Sequence, residues 1–225
     1  HVAGFSFLDP VPWMPGLFFI FSVKRRLFMQ LVLATRNANK LEEIRDVLGL
    51  NPHTVKSSFD YPQIPDVVED KDTLEGNAIK KATTIAAATG CWALADDSGL
   101  EVDALAGAPG VYSARYAGEH CSYLDNCNKL LFEMEGKTNR RARFRTVLAL
   151  VNLVGEVRTL EGAMEGTILT EMRGEGGFGY DPVFMPEGYD LSYAEFDPAE
   201  KNRISHRGKA LHAAIEQWGA LFAQI

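Results

Sequence analysis

Apolar and polar positions along this chain follow two periods, and the switches between them predict an α/β fold. Leu31-Val32-Leu33-Ala34 is a short apolar run of buried-strand type. After Thr35 to Lys40, Leu41, Ile44, Val47 and Leu48 recur at helical spacing until Gly49. Asn39 with Glu42 three residues on has the capping-box form, which predicts the helix start there and places Lys40 in its first turn. A second helix is predicted from Asp72-Thr73-Leu74-Glu75, again of capping-box form, through the alanine-rich run 78–88 to Gly90. Leu74, Ala78, Ala82, Ile85 and Ala86 supply its packing. Asn77 and Lys81, four apart, share a face, whereas Lys80 is turned away from Lys81 by about 100°. Trp92 to Ala95 is apolar and runs into Asp96-Asp97-Ser98-Gly99-Leu100, which predicts a buried strand, two adjacent carboxylates and a tight turn. From Arg141 to Leu153 the period is two. Ala142, Phe144, Thr146, Leu148 and Leu150 fall on one face, and Arg143, Arg145, Val147, Ala149 and Val151 on the other. Gly155 predicts a hairpin into Val157 to Ala163, and Val183-Phe184-Met185 is a further short apolar run. Ser205 opens a last helix whose predicted buried stripe is Leu211, Ala214, Ile215, Trp218, Leu221, Phe222 and Ile225.

Several of these positions carry candidate chemistry. Ligands gather at the carboxyl ends of strands in open α/β sheets, so the Asp96-Asp97 pair lies where a site is expected. Neighbouring strand residues face opposite sides, which leaves one acid for the chemistry and the other in support. Aspartates bonding turn amides are the plainer explanation. Lys40, and His206 with Arg207 in the first turn of the last helix, put cations where the helix dipole disfavours them, and a nearby anion would account for each. Exposed first-turn lysines are also common. Lys81 equally reads as a solvated helix lysine, and Glu69, within the acidic stretch 66–72, as a solvent-facing acid. The cluster Gly174-Glu175-Gly176-Gly177-Phe178-Gly179-Tyr180-Asp181-Pro182 permits close backbone approach to a ligand, with Phe178 as a stacking platform. A flexible loop is the simpler reading, but two aromatics speak against it.

Composition narrows the classes. With 225 residues, 46% of them hydrophobic, the chain has room for a sizeable core. A net charge of −7 argues against a nucleic-acid footprint. Cys91, Cys121 and Cys127 form no CxxC pair, which suggests neither a disulfide framework nor zinc and fits a reducing cytoplasm. No GxxxxGK[ST] loop occurs. Residues 1–28 differ in character, being rich in Pro, Phe and Trp. Their apolar run 17–23 falls short of the roughly 20 residues a membrane span needs. The cluster Lys24-Arg25-Arg26 follows that run, whereas a secretory signal puts its charge first. The expectation is a working start at Met29, a catalytic domain over 29–225, and residues 1–28 as an extension outside the fold. A peripheral membrane or partner anchor is the alternative.

Six ordered motifs carry a resemblance. They are Val32-Leu33-Ala34-Thr35 with Asn37 and Lys40, Glu75-Gly76-Asn77-Ala78-Ile79-Lys80-Lys81-Ala82, Ala95-Asp96-Asp97-Ser98-Gly99-Leu100, Gly107 to Tyr116, Gly176 to Pro182, and Ile204-Ser205-His206-Arg207-Gly208. Over roughly residues 31 to 222 the chain resembles the inosine/xanthosine triphosphate pyrophosphatase family. Arg36 departs from the glycine usual in the family's Thr-Gly-Asn turn, which bears on the conformation of the phosphate loop or adds a phosphate contact. The resemblance implies an α/β fold with an elongated central mixed sheet, flanking helices, two lobes around a nucleotide cleft, and a homodimer. It implies hydrolysis of inosine, deoxyinosine and xanthosine triphosphates to the monophosphate and pyrophosphate. Carried onto this sequence, Thr35, Arg36, Asn37, Ala38, Asn39 and Lys40 would cradle the phosphates and Lys81 would meet the phosphate chain. Asp97 would accept the proton, and Glu69 with Asp97 would hold Mg2+. Ser98, Phe178, Gly179, Tyr180, Asp181, Lys201, His206 and Arg207 would complete the nucleotide site.

The chemistry agrees with those roles. Attack of water on the α-phosphorus needs a positioned nucleophile and neutralised charge, which lysines and magnesium supply. Magnesium favours one or two carboxylates with phosphates and waters. Other classes remain in view. A Maf-like nucleotide pyrophosphatase would share a related fold. An Asp-x-Asp phosphatase is disfavoured because adjacent acids cannot share a strand face. A non-catalytic nucleotide sensor or RNA-binding module is the third. It lacks basic, aromatic-studded strands for RNA.

Overall fold

The computed structural model describes residues 30–49 and 55–223. The expected extension 1–28, the start at Met29 and Ile225 lie outside the described residues. Six strands form one mixed sheet, ordered β2-β1-β3-β4-β5-β6. β1 (Leu31–Leu33) lies parallel to both β2 (Val55–Ser57) and β3 (Trp92–Val102). Antiparallel pairing continues through β4 (Arg141–Val151), β5 (Val157–Ile168) and β6 (Phe184–Pro186). Helices α1 (Ala38–Leu48) and α5 (His206–Phe222) cover one face beside β1, and α2 (Leu74–Thr89) covers the other. α3 (Tyr123–Glu133) and the short α4 (Pro198–Ile204), which no periodicity had announced, flank the far end. No helix among the described residues is long and apolar enough to cross a membrane.

Strand alternation divides the core. Ala93, Ala95, Val147, Ala149 and Val151 pack under α2, while Leu94, Leu148 and Leu150 pack under α1 and α5. Farther along the α5 face, Leu100, Val102, Ala142 and Phe144 join a separate cluster with Leu130, Phe184 and Tyr193. Asp96, Ser98 and Thr146 fall between the two clusters of that face, and this polar belt marks the cleft.

Several predicted boundaries move. β3 does not turn after the two aspartates; it pairs with β4 from Ala93 to Val102, and that long ladder outweighs the local turn signal. Asn37, not Asn39, caps α1, because its Oδ1 accepts from Lys40 N at 3.2 Å. Lys40 nevertheless stays in the first turn. Thr73 caps α2 by accepting from Gly76 N, and Glu75 instead accepts from Thr159 Oγ1, so no capping box forms. β4 ends at Val151, β5 runs on to Ile168, and Ile215 of the predicted α5 stripe is exposed.

Ser205 terminates α4 and caps α5, so the two helices meet at a corner where Gly208 lies against the Asn202 carbonyl. A Cβ there would stand 1.7 Å from that oxygen, whereas one at Gly219 in the same helix meets nothing within 4 Å. Gly208→Ala is therefore expected to destabilise the protein by about 3 kcal/mol, the upper part of the overpacking range. Gly219→Ala should stabilise it by up to about 1 kcal/mol. Urea midpoints check both, and equal midpoints would contradict the account of this corner.

Candidate active site

The site grows from a mismatch of strand lengths. β1 stops at Leu33, opposite Leu94, and the last bond across is Ala34 N to Leu94 O at 2.8 Å. Beyond it β3 continues with one flank open, so residues 97–99 border the space that the chain leaves as it turns into α1. A cavity of about 390 Å³ occupies that space. It reaches the α2 side of the sheet at Asp97 and the α5 side at Ser98.

Asp97 faces α2, and there Lys81 Nζ donates to Asp97 Oδ1 at 2.9 Å and to Glu69 Oε1 at 2.7 Å. Burial pushes the Asp97 carboxyl above the ordinary carboxylate range, and one ammonium shared between two acids does not pull it back. Burial would lower Lys81, but Asp97 and Glu69 outweigh it and push its pKa up to about 12. The Glu69 carboxyl, less confined, is held low by Lys81 against its own burial. Arg115 steadies this corner by donating to the Glu69 carbonyl at 3.0 Å. Lys80 points away, donating to Asp70 Oδ1 and the Val68 carbonyl.

Asp96 faces the opposite way and is 1% exposed. Lys40 approaches it at 3.0 Å and Arg207 at 3.1 Å, and Ser98 Oγ donates to it at 3.1 Å. Burial opposes its charge, yet Lys40 and Arg207 hold its carboxyl far below the usual range. The anion that two first-turn cations demanded is thus a carboxylate of the protein itself. His206 is the exception. Burial first, then the Arg207 and Lys201 charges, press its pKa well below the ordinary histidine value, so it sits neutral at the helix start. Its ring stacks on Phe144 at 4.6 Å.

At the other end of the cavity Lys201 and Arg207 are tied by Glu43, which accepts from Lys201 at 2.8 Å and also from Arg207. Lys201 further donates to Asp181 Oδ2 at 2.6 Å. Phe178 lies beneath both cations, 4.7 Å from Lys201 Nζ and 5.6 Å from the Arg207 guanidinium. Asp181 Oδ2 also accepts from Phe178 N at 2.8 Å and so holds the ring's backbone in place.

The sequence model of the Ham1 family matches residues 31–217. The chain belongs to the Ham1 family. It is 51% identical over 196 residues to a dITP/XTP pyrophosphatase of Desulforamulus reducens, covering 86% of this chain and 98% of that one. A dITP/XTP pyrophosphatase of Desulfotalea psychrophila is 49% identical over 181 residues, 80% of this chain and 81% of that one. Among solved structures, a HAM1 protein from Coxiella burnetii superposes with a TM-score of 0.77 at 39% identity, covering 88% of this chain and 100% of that one.

Within this Ham1 fold the residues singled out from sequence line this cavity, apart from Asp96, which is buried beneath it against Lys40 and Arg207, and Ala38 and Asn39, which are exposed on the outer side of α1. Arg36 needs no glycine-like backbone, since its φ is not positive. Its guanidinium bonds Asp66 and the Ile64 and Tyr61 carbonyls, tying the loop after β1 to the segment that leads to Glu69. Tyr180 is a brace, donating to the Ser113 carbonyl at 2.8 Å. Sequence reasoning missed Glu43, although its spacing of three from Lys40 puts both on one helix face. It also missed Tyr123, at the start of a helix that was not foreseen.

Proposed function

We propose that this chain hydrolyses deaminated purine nucleoside triphosphates, namely ITP, dITP and XTP, to the monophosphate and pyrophosphate, so clearing them from the nucleotide pool. The observation that carries this reading is a single cavity with two chemistries: buried carboxylates and lysines at one end, and an aromatic ring under two cationic donors at the other. The first end suits phosphates and the second a purine. The names of the relatives agree.

In this reading Asp97 takes the proton of the attacking water, whose oxygen bonds the α-phosphorus as the bridging P–O bond breaks. The electron pair leaves with pyrophosphate. A raised proton affinity suits Asp97 to the role of base. Lys81 and Lys40 oppose the charge of the phosphate chain. Glu69 Oε1 and Asp97 Oδ1 lie 2.7 and 2.9 Å from the same Lys81 Nζ, and these two neighbouring hard carboxylates would be the residues to hold magnesium. Magnesium held there would supply further neutralisation of phosphate charge. A cytoplasmic homodimer acting on free nucleotides, without nucleic-acid or membrane partners, completes the proposal.

The test is a panel of nucleoside triphosphates with magnesium, with pyrophosphate and monophosphate measured separately. Equimolar pyrophosphate and monophosphate from ITP and XTP are expected, and orthophosphate as the product would reject the reading. Within the same assay Lys81→Ala should lower kcat/KM about 10²- to 10³-fold, as loss of a preorganised charge does. Lys80→Ala should leave it nearly unchanged, because that ammonium serves only Asp70 and a carbonyl at the surface. The reverse order would mean that the other face of α2 serves the site.

A further inference from the structure

Tyr123 joins the two ends of the cavity, and neither the fold nor the roles above explain it. Ser122 and Asp125 form a capping box that fixes the first turn of α3 and so the direction in which Tyr123 leaves it. The ring is not part of the hydrophobic cluster that takes Cys127 and Leu130 from the same helix; it is 43% exposed and lines the cavity. At its tip the hydroxyl accepts from Asn37 Nδ2 at 3.0 Å. Because Asn37 Oδ1 is committed to capping α1, the amide must turn its NH2 outward, and Tyr123 is its acceptor. On its other flank the ring lies 6.0 Å from Phe178, tilted by 47°. One phenol therefore touches the start of the phosphate loop and the aromatic platform at once.

We infer that Tyr123 is a sugar-recognition residue of this site, its hydroxyl donating to a ribose hydroxyl. The inference rests on the nucleotide reading. If phosphates lie at Asn37 and Lys40 and the base lies on Phe178, the sugar that links them passes alongside Tyr123, whose side chain reaches both. A tyrosine hydroxyl that accepts one hydrogen bond still has its proton to give, and among the described residues that proton has no acceptor. A ribose hydroxyl is a suitable one. Asn37 strengthens the donor by polarising it.

The experiment pairs Tyr123→Phe with a substrate that lacks the sugar hydroxyls, 2′,3′-dideoxyinosine triphosphate. On ITP the variant is expected to raise KM about fivefold, the worth of one neutral hydrogen bond, with little change in kcat. On the dideoxy substrate wild type and variant should be equal, since the interaction is already gone. A loss of the same size on both substrates would assign Tyr123 to holding Asn37 and overturn the inference, as would no loss on ITP. Wild-type protein inactive on ITP but folded would overturn the functional reading itself, a separate outcome visible before any variant is made.

Discussion

Asp97→Asn is expected to lower kcat for ITP by about 10³-fold or more while the protein keeps its melting temperature, because a general base alone contributes about 10²- to 10⁴-fold. The substitution preserves shape and leaves Lys81 paired with Glu69 at 2.7 Å. It also relieves an excess of negative charge, since two carboxylates share one ammonium. Asp96→Asn should behave differently. Asp96 is the buried counter-charge of Lys40 and Arg207, and breaking such a pair from one side costs about 3–5 kcal/mol. Its variant should melt at a lower temperature and bind nucleotide more weakly, with a smaller fall in kcat than Asp97→Asn shows. Steady-state kinetics and thermal unfolding measured on both variants separate the roles. Mild, equal losses of kcat would refute the assignment.

Base selectivity is the second large effect. A 6-keto purine offers an acceptor where adenine offers an amino donor. Lysine has three donors, and Lys201 uses two of them on Glu43 and Asp181. Arg207 spends its guanidinium on Asp96, Glu43 and Ser98 and keeps one N–H in reserve. The base end thus presents two cationic donors with N–H groups to spare, and neutral His206 is stacked on Phe144 rather than poised as a third cation. An adenine amino group would face donors and leave buried groups unpaired, a mismatch that discriminates by about 10⁴-fold. kcat/KM for ITP and XTP should exceed that for ATP by this order. GTP should also be poor, its 2-amino group meeting the wall formed by Phe178 and Gly179. Arg207→Ala and His206→Ala should each narrow the gap. Comparable kcat/KM for ATP and ITP with unmutated protein would defeat this explanation.

The extent to which the sequence alone foresaw this site varies residue by residue. Opposite roles for Asp96 and Asp97 follow from the two-residue period of a strand, and the structure places them on opposite faces, one against Lys81 and one against Lys40 and Arg207. The separation of Lys81 from Lys80 follows from helical period in the same way. First-turn cations at Lys40 and Arg207 announced a counter-charge, because a helix start repels them. Its identity was not legible. Asp96 lies 111 positions from Arg207, and Glu43 lies 158 from Lys201. Periodicity describes one element at a time and carries no information about which elements meet. For the same reason the aspartate pair read as a turn: β4, which holds β3 straight through Val102, comes about forty residues later in the chain. Local pattern determined the elements, their buried faces and the side of the strand that each acid takes. Tertiary pairing alone decided that β1 stops short of β3 and opens the cavity, that Glu43 bridges two cations, and that Tyr123 crosses from α3 to Asn37, because each depends on contacts between segments remote in sequence.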